Sequence, residues 1–232
     1  EYAARAREIV GGIFLWRKLD IHAPLYPYLL AFLQWLFSFD NPLIRAAHLL
    51  IGLLVIVPLC GAAWLAEGRR FTPAVAGTAL IWAAYPPLIF YQGEYISETL
   101  VVLLLCSSIF CLYEGDGLAE PLAKGLGFLA AGGLLAGLAV TAHPLSAFFV
   151  VLETGFLCVK AVGRQGNAMK MIPPAVFLIG ASIPVLAVIS YNSLVLSAGL
   201  RIQDNAGFNF YLGNSSIADG TCKLRPGPEW SK

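Results

Sequence analysis

Charged residues are scarce in this sequence. Asp, Glu, Lys and Arg make up 12% of its 232 residues, whereas hydrophobic residues make up 58%. A soluble domain carries about a quarter charged residues, so lipid rather than water has to cover most of this chain. The net charge of +1 does not indicate a nucleic-acid partner. Because the apolar runs lack the alternating pattern of lipid-facing strands, the composition predicts an all-α, polytopic transmembrane bundle.

Cysteine pairs and nucleotide-binding motifs are also lacking. The five cysteines form no CxxC pair, and four of them lie in apolar runs, where they behave as small hydrophobic residues. No P-loop, GxGxxG, GxSxG or HExxH motif occurs. The sequence opens without methionine in a charged stretch and shows no signal peptide. This opening predicts a fragment whose true N-terminus lies upstream.

Long apolar runs are what the sequence does contain, and they predict about six membrane spans within residues 43–196. The runs are 43–66, 71–91, 96–113, 125–141, 144–159 and 171–196. Residues 1–40 precede them as an outer loop with two interfacial helices. The second of these, 24–39, is shorter than the about 20 residues of a span, although a spanning 24–39 is the alternative. Residues 197–232 are polar and form an outer loop or the start of a further region.

Positive charge predicts which side of the membrane each loop occupies. Six lysines and arginines lie in loops 67–70, 114–124 and 160–170, and none lies in turns 92–95 and 142–143. The positive-inside rule therefore places the first set of loops in the cytoplasm. The candidate polar groups then share the extracytoplasmic side of the plasma (inner) membrane.

Glu98 is the leading catalytic candidate, because it stands at the start of the apolar run 99–113. One interpretation is a helix cap, since an acidic residue in the first turn meets the positive end of the helix dipole. The other is a general base or a ligand of a divalent cation. Glu94 lies four residues before Glu98 and directly follows Gly93. Because Gly93 disfavours a continuous helix here, we expect Glu94 in the loop before the helix.

Three cationic or titratable side chains at outer boundaries are candidates for contact with phosphate. They are His22, Arg45 and His143. Each also has a structural interpretation, as a hydrogen-bonding histidine or as an arginine that extends to the interface. Separately, the segment GLLAG at 133–137 is a GxxxG motif that predicts close packing between helices.

The order of these features resembles the GT-C class of integral-membrane glycosyltransferases, in particular bacterial members related to protein O-mannosyltransferases and aminoarabinose lipid A transferases. Four segments carry the resemblance: EYAARAREIVGG (1–12), HAPLYPYLLAFLQWLF (22–37), PPLIFYQGEYISETL (86–100) and GFNFYLGNSSIADGTCKLRPGPEW (207–230). In that class they correspond to the first outer loop, its second interfacial helix, the second outer loop and a glycine-rich outer segment. His22 stands where the aminoarabinose transferases carry lysine.

The resemblance implies a hexosyl- or pentosyltransferase. Such an enzyme moves a sugar, with inversion, from a polyprenyl-phosphate donor to a protein, lipid or glycan acceptor, as in protein glycosylation or lipopolysaccharide modification. It implies a general base just upstream of this chain, so we expect the fragment to be inactive alone. Glu98 becomes a supporting catalytic residue, and a divalent cation is a candidate cofactor. The implied substrate-binding residues are His22, Arg45, Glu94 and His143.

A membrane transporter or lipid flippase is the alternative. Its outer carboxylates would bind a cation or proton, and Gly93 before Glu98 would mark a broken helix. A second broken, polar helix in a corresponding half is expected of such a transporter, and the sequence contains none. A non-catalytic membrane scaffold is the third possibility.

The predicted topology can be tested by cysteine labelling from outside the cell. We expect a membrane-impermeant thiol reagent to label a cysteine placed at position 94, because that turn lies outside. A cysteine at position 68 should stay unlabelled until the membrane is permeabilised. The reverse pattern would overturn the topology.

Overall fold

The computed structural model describes residues 2–13, 20, 22–37, 42–86, 96–116, 122–163 and 171–204. In these ranges the regular structure is helical, and no strand is found. The helices are α1 (Tyr2–Val10), α2 (Leu25–Phe37), α3 (Pro42–Leu54), α4 (Ile56–Ala66), α5 (Pro73–Ala84), α6 (Glu98–Asp116), α7 (Leu122–Ala142), α8 (Ala147–Gly163) and α9 (Ile172–Leu194). A 3-10 turn, Pro144–Ser146, joins α7 to α8.

Five helical stretches in the described part are long and apolar enough to cross a membrane. They are Pro42–Ala66, Glu98–Gly115, Lys124–Ala142, Pro144–Val162 and Ile172–Leu194. Large apolar side chains stand on their surfaces, such as Val159 at 74% exposure and Val162 at 79%, and lipid is the solvent that accepts them. The predicted all-α membrane bundle is confirmed, and the chain is a multi-pass membrane protein.

The run predicted at 71–91 forms a shorter helix in the described residues. Helix α5 has 12 residues, and residues 87–95 lie outside the described part. The first span is divided at Val55 into α3 and α4. Pro58 explains the division, because proline has no amide hydrogen to donate to the carbonyl of Leu54.

Both segments that were predicted as interfacial helices are helical, as α1 and α2. Helix α1 ends before Gly11-Gly12, and Gly12 adopts a φ of 100°, a left-handed conformation that favours glycine. Helix α2 has 13 residues, so at 1.5 Å per residue it reaches about 20 Å. That length is short of the about 30 Å of hydrocarbon in a bilayer.

Helix α7 lies at the centre of the bundle and packs most extensively against α9 and α6. Glycines allow this approach. A Cβ atom added to Gly133 would stand 2.0 Å from the Phe177 carbonyl oxygen, and one added to Gly137 would stand 2.2 Å from that of Ala181. The predicted GxxxG packing is therefore confirmed, with α9 as the partner helix.

The segments that connect the helices lie at the two ends of the bundle. At one end, named here the Arg69 end, Arg69 Nη2 lies 2.8 Å from Glu114 Oε2 and joins the loop after α4 to the last turn of α6. At the other, named the α1 end, the backbone nitrogen of Asp204 donates to the carbonyl oxygen of Asp20 at 2.7 Å. The segment after α9 therefore lies beside the N-terminal region.

Two alanine substitutions in α7 test the glycine contact. Gly133→Ala should destabilise the fold by about 1–3 kcal/mol, because its methyl group forces two backbones apart. Gly127→Ala is the matched control, since its Cβ would meet open space, and it should be neutral or stabilising by up to about 1 kcal/mol. Reversible unfolding in mixed detergent measures both values. Equal effects at the two positions would contradict the proposed contact.

Candidate functional site

Polar side chains meet at the α1 end of the bundle because α1 packs lengthwise on α2. The contact buries Ala6 and Ile9 of α1 against Tyr26, Leu30 and Ala31 of α2. Helical spacing then places the side chains of positions 2 and 5 on the same flank as position 6 or 9. The N-terminal helix thus carries a tyrosine and an arginine to the chain segment that precedes α2.

Asp20 is the centre of the resulting group, which is named here the Asp20 cluster: Tyr2, Arg5, Asp20, His22 and Tyr26. The Arg5 Nε atom lies 2.9 Å from Asp20 Oδ2. The His22 backbone nitrogen donates to Asp20 Oδ1 at 2.9 Å, and His22 Nδ1 lies 3.2 Å from the same oxygen. One carboxylate therefore orients both a guanidinium group and an imidazole.

These contacts determine the acidity of Asp20. Partial burial acts to raise its pKa, but the hydrogen bonds from His22 and the positive charge of Arg5 outweigh burial. The pKa of Asp20 therefore lies below its ordinary value, and the side chain is ionised at neutral pH. A carboxylate held in this way is a weak base, so its chemical role is to position its neighbours.

Aromatic rings connect the cluster to the membrane helices. The Tyr2 ring lies 4.4 Å from the His22 ring and 5.0 Å from the Tyr26 ring, between centroids. The Tyr26 hydroxyl lies 3.0 Å from Nε2 of His48, which is 1% exposed on α3. A buried histidine with this partner has a structural role, because it fixes α2 on α3.

Glu98 reaches the cluster through two long hydrogen bonds. The Tyr2 hydroxyl lies 3.4 Å from Ser97 Oγ, and Ser97 Oγ donates to Glu98 Oε2 at 3.4 Å. Ser97 is fully buried, whereas Glu98 is exposed in the first turn of α6. The capping and catalytic interpretations of Glu98 both remain consistent with this position.

The structure brings two of the predicted site residues together and leaves two others apart from them. His22 and Glu98 are brought into one connected group. Arg45 is exposed on α3, and His143 is half-buried where α7 meets the 3-10 turn. No hydrogen bond or ion pair among the described residues joins either of these two side chains to the Asp20 cluster. Glu94 lies outside the described residues.

Asp20 and Arg5 were missed in the sequence analysis, although each carried a signal. An aspartate two residues before His22 is the pattern of an Asx-turn, in which the carboxylate accepts from the backbone two positions on. Arg5 lies three residues after Tyr2, which puts both on one face of a helix. Their meeting with Asp20 depends on the packing of α1 on α2, which the sequence does not report.

An open cavity of about 660 Å³ lies at the α1 end between α7, α9 and the segment after α9. Its walls are mainly apolar, but Arg201 and Asp204 form an exposed ion pair of 3.1 Å at its edge. The cavity is lined by Val140, Pro144, Ala147, Val185, Ile189, Leu200, Arg201, Ile202, Gln203 and Asp204. The buried amide of Asn192 donates to the carbonyl oxygens of Arg201 and Ile202 at 2.7 and 3.3 Å and holds this wall in place. An apolar space with charge at its edge suits an amphiphile.

Metal ligands are not grouped in the described ranges. No three His, Cys, Asp or Glu side chains there lie close enough together to hold a metal ion. The Asp20 cluster supplies one carboxylate and one imidazole.

The charge of Asp20 predicts a pH dependence of stability. Because its pKa is lowered in the folded protein, its contribution is fully present above the ordinary value of 3.8 and is lost as pH falls through the folded pKa. The free energy of unfolding of the wild type should exceed that of Asp20→Asn at neutral pH, and the difference should shrink below pH 3.8. Glu67→Gln, at an exposed loop position, is the control. An Asp20→Asn effect that is constant across this range would contradict the ion-pair account.

Comparison with family models, curated proteins and solved structures finds no match to this chain. The function is therefore inferred from the Asp20 cluster, from Glu98 and from the neighbouring cavity. All three lie at the α1 end of a multi-pass membrane protein.

Proposed function

We propose that the protein is a GT-C glycosyltransferase that transfers a sugar from a polyprenyl-phosphate donor to a protein, lipid or glycan acceptor, with inversion, on the extracytoplasmic side of the membrane. One observation carries the proposal. Two carboxylates, a guanidinium group and an imidazole form a connected group at the end of the bundle where an apolar cavity opens. The sequence resemblance to GT-C enzymes is an analogy that agrees with it.

A lipid-linked donor needs an apolar surface beside a polar one. Its polyprenyl tail stays in the hydrocarbon while its phosphate and sugar reach water. The cavity bounded by α7 and α9 has apolar walls inside and Arg201 at its edge. In the proposal, Arg201 meets the phosphate, because a guanidinium group binds two phosphate oxygens at once.

Transfer also needs stabilisation of the departing phosphate. Negative charge grows on that group as the sugar leaves, and fixed cations stabilise it. Arg5 and His22 are held in place by contacts with Asp20. They are therefore proposed as the second set of phosphate contacts, whereas Arg45 and His143 have weaker structural support.

Transfer also needs a base that takes the proton from the hydroxyl group of the acceptor. The GT-C resemblance assigns the main base to an acidic residue of the first outer loop and gives Glu98 a supporting role. Glu98 suits that role because it is exposed and carries no strong counterion in the described part of the chain. Asp20 suits it less, since its paired carboxylate is a weak base.

Sugar transfer by the full-length protein in proteoliposomes tests this function. Polyprenyl-phosphate donors with different sugars are offered with protein, lipid and glycan acceptors, and glycosylated product is detected by mass spectrometry. Glu98→Gln should reduce turnover by about 100-fold or more, because acid–base assistance is worth at least that factor. Arg201→Met should mainly raise the KM for the donor.

Glu67→Gln is the matched control, because it removes an exposed carboxylate at the Arg69 end. It should leave turnover unchanged. Full turnover in a membrane-inserted Glu98→Gln protein would refute the role of Glu98. Movement of the donor across the bilayer without sugar transfer would refute glycosyl transfer and support the flippase alternative.

A further inference from the structure

Glu153 is an ionisable residue in the middle of a membrane helix, and the proposed sugar transfer does not use it. It lies on α8, is 8% exposed and stands among apolar neighbours. An acidic side chain at this depth is costly, and such residues commonly mark a functional site.

Only one of the two carboxyl oxygens of Glu153 has a hydrogen-bond partner among the described residues. Its Oε2 atom accepts a hydrogen bond of 3.1 Å from Ser108 Oγ of α6. Its Oε1 atom is buried and has no hydrogen-bond partner among the described residues. A buried polar atom without a partner is destabilising, so a further group that satisfies Oε1 would stabilise this region.

A cleft between α6 and α8 adjoins this carboxyl group. It has a volume of about 240 Å³ and is lined by Ile109, Leu112, Tyr113, Phe149, Leu152, Glu153 and Phe156. Its aromatic side chains are exposed by 37% at Tyr113, 43% at Phe149 and 41% at Phe156. These rings lie on a surface that faces lipid, so a molecule dissolved in the bilayer reaches the cleft without crossing water.

Aromatic walls around a carboxyl group favour an organic cation. The face of an aromatic ring attracts a cation, and this attraction is strongest where water is excluded. One ring of the cleft already engages a cation, because Lys160 Nζ lies 4.8 Å from the centre of the Phe156 ring. An aromatic ring carries no net charge, whereas a carboxylate carries a full negative charge that attracts the cation.

An amine also satisfies the carboxyl group in either protonation state. If Glu153 is ionised, an ammonium group donates to its free oxygen. If Glu153 is protonated, a neutral amine accepts its proton, and the same ammonium–carboxylate pair forms. A long-chain alcohol donates a hydrogen bond but provides no charge to neutralise the carboxylate or to interact with the rings.

We propose that the cleft between α6 and α8 is a binding site for a membrane-dissolved primary amine with a long alkyl chain, with Glu153 as the counterion and Tyr113, Phe149 and Phe156 as its walls. Ser108 holds the carboxyl group in place. The site is separate from the Asp20 cluster and does not depend on glycosyl transfer.

Dodecylamine and dodecanol are the probes that test this site. They have the same chain, and the amine alone brings a cation. We expect dodecylamine to raise the thermal unfolding midpoint of the purified protein in detergent, by an amount that grows with the logarithm of its concentration once this exceeds the Kd. In Glu153→Gln its affinity should fall by about 10- to 100-fold, as expected for loss of a charged hydrogen-bond partner. Glu67→Gln, which removes an exposed carboxylate, should keep the wild-type affinity.

A second measurement uses the unaltered protein and so does not depend on the folding of a variant. Dicyclohexylcarbodiimide is an apolar reagent that adds a carboxylic acid across one C=N bond and forms an O-acylisourea, with the acid proton transferred to nitrogen. Mass spectrometry should find the adduct at Glu153. A primary amine can also attack this adduct, which gives the Glu153 dodecylamide and releases dicyclohexylurea, so both products are counted. Dodecylamine should lower the sum of the two at concentrations at which dodecanol does not. Equal protection by both probes, absence of the adduct, or unchanged amine affinity in Glu153→Gln would overturn the proposal.

Discussion

The close approach of α7 and α9 is the contact on which the rest of the structure depends. At Gly133, Gly137 and Gly180 the two backbones lie so near that no Cβ atom fits between them. In a bilayer, helices gain little from hiding apolar surface, so packing at short distance has to hold them together. The glycines therefore determine the register of α9 against the central helix.

That register also positions the α1 end. Helix α9 carries Asn192 near its last turn, and the amide of Asn192 holds the segment that forms one wall of the large cavity. The same segment reaches the N-terminal region through the backbone bond between Asp204 and Asp20. A shift of α9 along α7 would therefore move a cavity wall and the support of the Asp20 cluster together.

Charge is divided between two environments in this protein. In the Asp20 cluster, carboxylate, guanidinium and imidazole groups compensate one another at a helix end, where water also contributes. Glu153 has a single hydroxyl partner in an apolar setting, so an ionised carboxylate there would have no compensating partner among the described residues. This contrast is the reason that we propose chemistry on a polar substrate for the first group and capture of a cation from lipid for the second.

The sequence was informative wherever local physics decides the outcome. Helix α1 ends at its glycine pair as predicted, the described part of α2 is a helix of 13 residues, and the GxxxG segment packs closely. The division at Val55 could have been anticipated from Pro58, since proline always removes one helical hydrogen bond. Glu153 was overlooked because a single acidic residue hardly changes the mean hydropathy of a 16-residue apolar run.

By itself the sequence determined the class of molecule. Charge is scarce and the apolar runs are long, so lipid has to solvate most side chains. In lipid, backbone groups have to form their hydrogen bonds within the protein, which a bundle of membrane helices achieves. It also indicated which ends of the helices carry the polar residues. The tertiary structure decided which of those residues meet. Asp20 contacts Arg5 since α1 folds onto α2, and Glu153 contacts Ser108 across a gap between α6 and α8. Such contacts depend on helix register and rotation, which arise from packing between residues distant in the chain.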